Sequence, residues 1–194
     1  MRVIAGRFKG RRLKILRGPP TRPTSDRLRE TLFNVLGASV TGSVFADCYA
    51  GSGAVGIEAL SRGAEWVYLL EHSRPAARVI RQNLASLGIE EGVEVLAHDV
   101  GAGLRRLERD GVKLDLVFLD PPYQAAEEYQ RALALLGEST LLASGALVIA
   151  EHHPKRPLAD RYGALTRTRT LRQGGATLSF LRRRSSPHGQ KPVG

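Results

Sequence analysis

Five short apolar segments alternate with helical patterns between residues 43 and 150, and this alternation limits the fold more than any other feature. The segments are 43–46, 66–70, 93–97, 116–119 and 146–150. Apolar runs of this length suit buried strands, and strand–helix alternation is typical of a parallel sheet covered by helices. Residues 163–171 and 176–183 alternate around Gly174-Gly175, which predicts a hairpin. We therefore predict an α/β fold with a doubly wound, mostly parallel, seven-stranded sheet.

The N-terminal end departs from this pattern. Residues 3–5 and 13–16 are predicted to form two short strands, with Gly6 and Gly10 in the turn between them. Residues 27–38 carry apolar side chains at helical spacing, so a helix is predicted there. The expected division is an N-terminal β-hairpin and helix extension at 1–40, a main domain at 41–184, and a disordered tail at 185–194 that is rich in Pro, Gly and Ser.

Positive charge is concentrated at both ends of the chain. Residues 1–30 contain ten Lys or Arg against two acids, and residues 155–194 contain ten against one. The 31–154 segment carries nine basic and sixteen acidic residues. A polyanionic partner would explain this division, with phosphates bound by the ends and chemistry performed in the middle. The N-terminal candidates for phosphate contacts are Arg7, Lys9, Arg11, Arg12, Arg22 and Arg27. Alternatively, the hairpin covers the sheet and its charges are merely solvated.

Composition sets the expected compartment. No apolar run approaches the roughly 20 residues that span a membrane, and the basic N-terminus lacks the apolar stretch of a signal peptide. The single cysteine, Cys48, excludes an internal disulfide and agrees with a reducing environment. We expect a cytoplasmic monomer without a membrane partner. His152 and His153 are adjacent and are expected to be surface residues rather than a metal pair, so no metal site is predicted.

An acid follows or closes each of the five predicted parallel strands. These acids are Asp47, Glu71, Asp99, Asp120 and Glu151. Because the carboxyl ends of parallel strands share one edge of the sheet, the five should lie along the edge where such folds bind ligands. The ligand at this edge should carry cationic or hydrogen-bond-donor groups. Asp99 has a second interpretation, as the cap of the following helix.

A glycine loop follows the first strand. Gly51, Gly53 and Gly56 match a dinucleotide fingerprint, with Glu71 twenty residues after Gly51. The surrounding acids disfavour a pyrophosphate and suit S-adenosylmethionine, which has no phosphate and carries a sulfonium and an ammonium. Glu71 would then accept bonds from the ribose, Asp99 from the adenine amine, and Asp47 would help with the methionine end. The predicted cofactor-binding residues are Asp47, Tyr49, Ala50, Gly51, Ser52, Gly53, Glu71, His72, Asp99 and Val100.

The fourth apolar segment ends in Asp120-Pro121-Pro122-Tyr123. The prolines end the strand, because they cannot donate ladder hydrogen bonds. The Asp120 carboxylate and the Pro121 carbonyl are acceptors, and Tyr123 offers a ring for stacking. A planar heterocycle with an exocyclic amine fits this set, so these four residues are the predicted catalytic residues.

With these motifs, the sequence resembles the ribosomal RNA small subunit methyltransferase D family, which has the class I, Rossmann-like methyltransferase fold. The resemblance extends to about residue 182. Its motifs are Arg2-Val3-Ile4-Ala5-Gly6 with Lys9-Gly10-Arg11, the segments 22–30 and 32–36, the glycine loop with the following residues to Gly63, and Asp120-Pro121-Pro122-Tyr123. The chain departs from the family pattern at Cys48-Tyr49 and at Gln173-Gly174-Gly175-Ala176.

The resemblance implies S-adenosylmethionine-dependent methylation of the exocyclic N2 of one guanine, conventionally 966, of 16S rRNA in an assembling small subunit. The target base would be flipped out of its stack, with Tyr123 stacking on it and Asp120 and the Pro121 carbonyl accepting bonds from its amine. Three alternatives remain: an amino-methyltransferase of another RNA or DNA base, a protein-glutamine methyltransferase, which usually has Asn at the position of Asp120, and a non-catalytic RNA-binding assembly factor.

Overall fold

Eight strands form a single sheet in the computed structural model, which describes residues 1–16, 25–122 and 126–183. The strands are β1 (Val44–Asp47), β2 (Trp66–Leu70), β3 (Val93–Leu96), β4 (Leu114–Leu119), β5 (Leu142–His152), β6 (Arg161–Tyr162), β7 (Leu165–Gln173) and β8 (Ala176–Arg183). Their order across the sheet is β3-β2-β1-β4-β5-β8-β7-β6. Strands β1 to β5 are parallel, and β8 is antiparallel to both β5 and β7. The predicted sheet is confirmed, with the two-residue β6 added at one end.

In the described part of the chain, five α-helices cover the two faces of the sheet. They are α1 (Asp26–Leu36), α2 (Ala54–Ser61), α3 (Arg74–Leu87), α4 (Val100–Arg109) and α5 (Ala126–Glu138), and a short 3₁₀ helix, Gly37–Val40, follows α1. Alternate strand residues enter separate apolar cores. Phe45 and Phe118 pack with α1, α2 and α3, whereas Ala46 and Val117 pack with α4 and α5. This period of two places each helix on a defined face.

The helices begin where capping chemistry predicts. The Ser25, Ser73 and Asp99 side chains accept hydrogen bonds from the third backbone N–H of α1, α3 and α4, respectively. No helix within residues 1–16, 25–122 and 126–183 has the length and hydropathy that a membrane span requires.

Residues 1–16, which we call the N-terminal arm, reverse direction but do not form the two predicted strands. A single antiparallel bridge joins Arg2 to Arg12. The N–H groups of Ile4 and Ala5 instead donate to the two carboxylate oxygens of Glu58 in α2, at 2.7 and 3.0 Å. The predicted hairpin is present, since the Val3 N–H donates to the Arg11 carbonyl at 2.9 Å and the Leu13 N–H donates to the Met1 carbonyl at 3.1 Å. This pairing is limited to one bridge, so residues 3–5 and 13–16 are not the regular strands that were predicted.

The arm packs against the fold as a cover. The side chains of Val3, Phe8 and Leu13 are buried in the same core as α1, α2 and α3. Near the turn of the arm, the Arg7 N–H donates to the Ser61 carbonyl at 2.7 Å. A Cβ on Gly6 would lie 1.8 Å from that oxygen, so only glycine allows this approach. The alternative interpretation stated that the hairpin covers the sheet, and this part of it is correct.

Candidate active site at the carboxyl edge of the sheet

All five predicted acids lie at or beside the carboxyl ends of strands, and Glu151 is the penultimate residue of β5. Asp47 is the last residue of β1, Glu71 and Asp120 directly follow β2 and β4, and Asp99 caps α4 after β3. The strand ends of β1 and β4 are neighbours, since the Cys48 N–H donates to the Phe118 carbonyl at 2.9 Å. The structure thus brings the β1 glycine loop and the segment after β4 to one place on this edge.

The glycine loop, residues 48–53, turns sharply from β1 into α2. Gly51 and Gly53 have φ values of 55° and 79°, in the region that favours glycine. A Cβ on Gly51 would contact nothing within 4 Å. The backbone conformation rather than space therefore requires glycine at position 51, and the loop presents bare backbone towards the edge.

Glu71 holds this loop in place. One carboxylate oxygen accepts from the Gly51 N–H at 2.8 Å, and the other accepts from the Ser73 N–H at 2.8 Å. The side chain is buried, while the neighbouring His72 side chain is 73% exposed, with its Nδ1 3.5 Å from the Glu71 Oε1. A carboxylate oxygen can accept two bonds, so Glu71 retains acceptor capacity for a ligand hydroxyl.

Asp47 lies beneath the loop. Asp47 is 2% exposed, and its carboxylate accepts a hydrogen bond from the Gly56 N–H in α2 at 3.0 Å. The pKa of Asp47 is raised to about 7, mainly by burial and in smaller part by the negative charge of Glu71, while the hydrogen bond from the Gly56 N–H opposes the rise. The structure therefore assigns Asp47 a contact with the helix that supports the loop.

Asp99 and Val100 begin α4. The Asp99 side chain is exposed, and its Oδ1 accepts from the Ala102 N–H at 2.9 Å, so its capping interpretation is correct. Capping uses one of the two carboxylate oxygens of Asp99, so a contact between the other oxygen and a ligand amine is compatible with the geometry. The Val100 side chain is buried in the α4–α5 core.

The rest of the loop is tied to three different elements. The Tyr49 hydroxyl donates to Glu128 of α5 at 3.1 Å, and burial raises the pKa of Tyr49, with Glu128 adding to the effect. The Ala50 N–H donates to the Leu70 carbonyl of β2 at 3.0 Å. The Ser52 carbonyl accepts from Asn83 of α3 at 2.9 Å. The loop is therefore held from both sides of the sheet.

The proposed substrate side of the site begins at Asp120. Asp120 is partly buried, Pro121 is buried and Pro122 is exposed. Tyr123, the fourth predicted catalytic residue, lies outside the described residues, as does Arg22 of the predicted RNA contacts.

The remaining predicted RNA contacts are divided between two places. Arg7, Lys9, Arg11 and Arg12 are all exposed on the turn of the arm. This turn contacts Ser61, where α2 ends shortly before β2 begins, and thus lies toward the amino edge of the sheet. Arg27, in the first turn of α1, instead lines a cleft with Ser25 and residues 173–175 of the β7–β8 turn. The structure does not bring the arm turn to the carboxyl edge.

Sequence reasoning missed several buried polar residues. Asn83, Glu58 and Arg29 are all fully buried. The clearest signal was a polar side chain on the apolar face of a helix, as with Asn83 in α3. The prediction that His152 is a surface residue is wrong, because it is 3% exposed and its Nε2 lies 2.9 Å from the Ser179 hydroxyl. Burial lowers the pKa of His152. Within the described ranges, no group of three His, Cys, Asp or Glu residues is arranged to hold a metal ion.

Comparison with known proteins gives the family. Residues 1–182 match the family described as Conserved hypothetical protein 95. The Ribosomal RNA small subunit methyltransferase D of Haemophilus influenzae is 35% identical over 158 residues, covering 81% of each chain. The solved structure of yhhF from Escherichia coli has a TM-score of 0.82 at 30% identity, covering 94% of this chain and 97% of that chain.

A more distant solved structure shares the fold. SMU.776, complexed with SAH, has a TM-score of 0.64 at 13% identity, covering 80% of this chain and 48% of that chain. The match over residues 1–182, the relative from Haemophilus influenzae and the sheet with its glycine loop all agree. The chain belongs to the ribosomal RNA small subunit methyltransferase D family of class I, S-adenosylmethionine-dependent methyltransferases.

Proposed function

We propose that this protein transfers a methyl group from S-adenosylmethionine to the exocyclic N2 of guanine 966 of 16S rRNA in an assembling small subunit. The observation that carries the proposal is the position of Asp120-Pro121 directly after β4, beside the end of β1 and its glycine loop. This arrangement sets two acceptors for an amine next to a cofactor loop. The name of the Haemophilus influenzae relative supports ribosomal RNA of the small subunit as the substrate.

The residues around the glycine loop fit S-adenosylmethionine. Glu71 and Asp99 are acceptors, and no Lys or Arg lies between residues 44 and 61 to bind a phosphate. Gly51 exposes bare backbone, which permits close approach of the ligand. When bound, the cofactor supplies an electrophilic methyl group on a sulfonium. Glu71 would hold ribose hydroxyls and Asp99 the adenine amine, with Asp47 supporting the loop through Gly56.

The protein would act mainly by positioning the target amine. The N2 lone pair of guanine is conjugated with the ring, so the base must be unstacked and its amine directed at the methyl group. Asp120 and the Pro121 carbonyl would accept hydrogen bonds from the two N–H groups of the amine and so orient its lone pair. The rigid prolines keep these acceptors fixed, which lowers the entropic part of the barrier. The N2 proton would leave to Asp120 or to water.

The test is methylation of small-subunit particles that lack the modification. Purified protein and isotope-labelled S-adenosylmethionine are incubated with these particles, with free 16S rRNA and with duplex DNA. Nuclease digestion and mass spectrometry then identify the methylated nucleoside and its position. We expect N2-methylguanine at position 966, formed fastest on the particle. Label on another base, on DNA or on protein would contradict the proposed substrate, and binding of the particle without binding of S-adenosylmethionine would favour a non-catalytic assembly factor.

A further inference from the structure

The two halves of the carboxyl edge differ in charge, because β1, β2 and β3 end beside acids, whereas exposed cations accompany the buried Glu151 at the ends of β5 and β7. Strands β1, β2 and β3 end at or beside Asp47, Glu71 and Asp99. On the other side of β4, Lys155 follows β5 and Arg172 lies near the end of β7. Both side chains are exposed. Asp120, after β4, stands at the boundary between a half suited to a cationic ligand and a half suited to an anionic one.

The strand register places the two basic residues on the same edge. Thr177 of β8 pairs with His152 at the end of β5 and with Arg172 of β7, so these three positions are level across the sheet. Lys155 stays close to this level, because its N–H donates to the His153 Nδ1 at 3.1 Å. Both cations therefore lie beside the carboxyl end of β5, the strand next to β4.

Arg27 faces this region from α1. It lines a cleft of about 250 Å³ together with Ser25 and residues 173–175, the residues that directly follow Arg172. In the part of the chain that the structure describes, Arg27, Lys155 and Arg172 form no ion pairs. Asp26, the neighbour of Arg27 in the sequence, pairs with Arg29 at 3.1 Å.

We propose that Arg27, Lys155 and Arg172 form a phosphate-binding surface, the substrate rim, which holds the RNA strand that carries the target base. The inference rests on the proposed function. It adds Lys155 and Arg172 to the RNA contacts and moves the main contact from the arm turn to the edge that contains Asp120. Phosphate contacts fix the register of a nucleic acid without reading its sequence, and this role requires cations close to the reacting base. The substrate rim meets that requirement, whereas the arm turn lies toward the opposite edge.

The experiment compares two double variants that lose the same charges. Lys155→Gln with Arg172→Gln removes one Lys and one Arg from the substrate rim. Arg109→Gln with Lys113→Gln removes one of each from exposed positions at the end of α4 and directly before β4, at the amino edge. Affinity for the unmethylated small-subunit particle is measured for both variants and the unmodified protein across a salt series. Cofactor affinity is measured by calorimetry and folding by thermal unfolding.

We expect the rim variant to bind the particle more weakly and to lose about 0.7–0.9 of the log–log salt slope for each contact removed. The control variant should keep the slope of the unmodified protein, and all three should bind S-adenosylmethionine equally. An unchanged slope in the rim variant, or the same loss in the control, would overturn the substrate rim. If the unmodified protein binds neither particle nor RNA, the proposed function itself fails, so the two failures are distinguishable.

Discussion

The side chain of Asn83 joins the N-terminal arm to the glycine loop through Ser52. Its Nδ2 donates to the Ser52 carbonyl at 2.9 Å and to the Lys14 carbonyl at 3.0 Å, while its Oδ1 accepts from the Lys14 N–H at 2.8 Å. The side chain is fully buried on α3. One residue therefore fixes both a segment of the arm and a backbone carbonyl of the predicted cofactor site.

We expect Asn83→Ala to weaken S-adenosylmethionine binding by about 3- to 10-fold, because each lost hydrogen bond costs about 0.5–1.5 kcal/mol and the loop loses its anchor to α3. Isothermal calorimetry measures the dissociation constant. The matched control is Gln82→Ala, which removes an exposed neighbour whose Oε1 accepts a hydrogen bond from the Lys14 ammonium at 3.4 Å. Equal affinities in the two variants would show that the loop does not depend on Asn83.

Asp120→Ala should abolish turnover, with a loss of about 100-fold or more, while the affinity for S-adenosylmethionine changes by only a few-fold. The reason is that Asp120 is assigned to the amine of the base, and general acid–base and positioning roles contribute about 10²–10⁴ to rate. Asp120→Asn should retain part of the activity, because an amide oxygen still accepts one bond. Single-turnover methylation and calorimetry separate the two effects, and strongly reduced cofactor binding with retained turnover would refute the assignment.

Glu71→Gln and Asp99→Ala should each raise the dissociation constant for S-adenosylmethionine. Hydrogen bonds to charged acceptors contribute about 1.5–3 kcal/mol, so a loss of roughly 10-fold or more is expected. Glu71→Gln keeps an oxygen for one loop N–H, whereas Asp99→Ala also removes the cap of α4. Fluorescence or calorimetric titration at constant salt provides the measurement. Unchanged binding in both variants would mean that these acids serve the fold alone.

Glu58→Ala should destabilise the protein and release the arm. Glu58 is fully buried, accepts from the Ile4 and Ala5 N–H groups, and pairs with Arg62 at 2.7 Å and with the buried Arg29 at 3.9 Å. Removing one partner of a buried ion pair costs about 3–5 kcal/mol. Urea unfolding measures the loss, and trypsin should cut the arm at Arg7 or Lys9 faster. Glu65→Ala, at an exposed position, is the control and should match the unmodified protein.

Asp47 should give the protein a pH-dependent stability. Burial raises its pKa to about 7, above the value of about 3.9 in an unfolded chain, so the folded state binds the proton more tightly. Its favourable contribution is therefore complete below about pH 4 and is lost as the pH rises to about 7. Relative to Asp47→Asn, which can still accept from the Gly56 N–H, the unmodified protein should lose free energy of unfolding across this range. Parallel curves between pH 4 and pH 8 would contradict the raised pKa.

The sheet was predictable because its signals are local. Apolar runs marked β1 to β5, capping residues such as Ser73 marked helix starts, and Gly174-Gly175 marked the β7–β8 turn. The acids at the strand ends were predictable for the same reason, because the end of a parallel strand fixes the edge on which a residue lies. The hydrogen-bond partners of these acids were not predictable, since the bond from the Gly51 N–H to Glu71 depends on how the loop folds back.

The arm could not be predicted because its partners are remote in sequence. A predicted strand such as residues 3–5 shows that its N–H groups need acceptors, but it does not show that Glu58 supplies them. The position of the arm turn follows from Ser61, and the burial of His152 follows from Ser179. Both contacts arise only when distant elements pack together. The sequence therefore predicted correctly that the exposed arginines lie at a turn, but it did not indicate the edge of the sheet on which that turn lies.

The attachment of the arm has a consequence for the order of folding. Residues 1–16 are synthesised before every element that holds them. The hydrogen-bond partner of Ile4 is Glu58, 54 residues later, and that of Lys14 is Asn83, 69 residues later. Contacts of such long sequence separation close large loops and form slowly. During synthesis the arm must remain undocked until α2 and α3 have emerged from the ribosome. Its apolar Val3, Phe8 and Leu13 are exposed during that interval, and the basic residues between and beside them keep this segment hydrated until its binding groove exists.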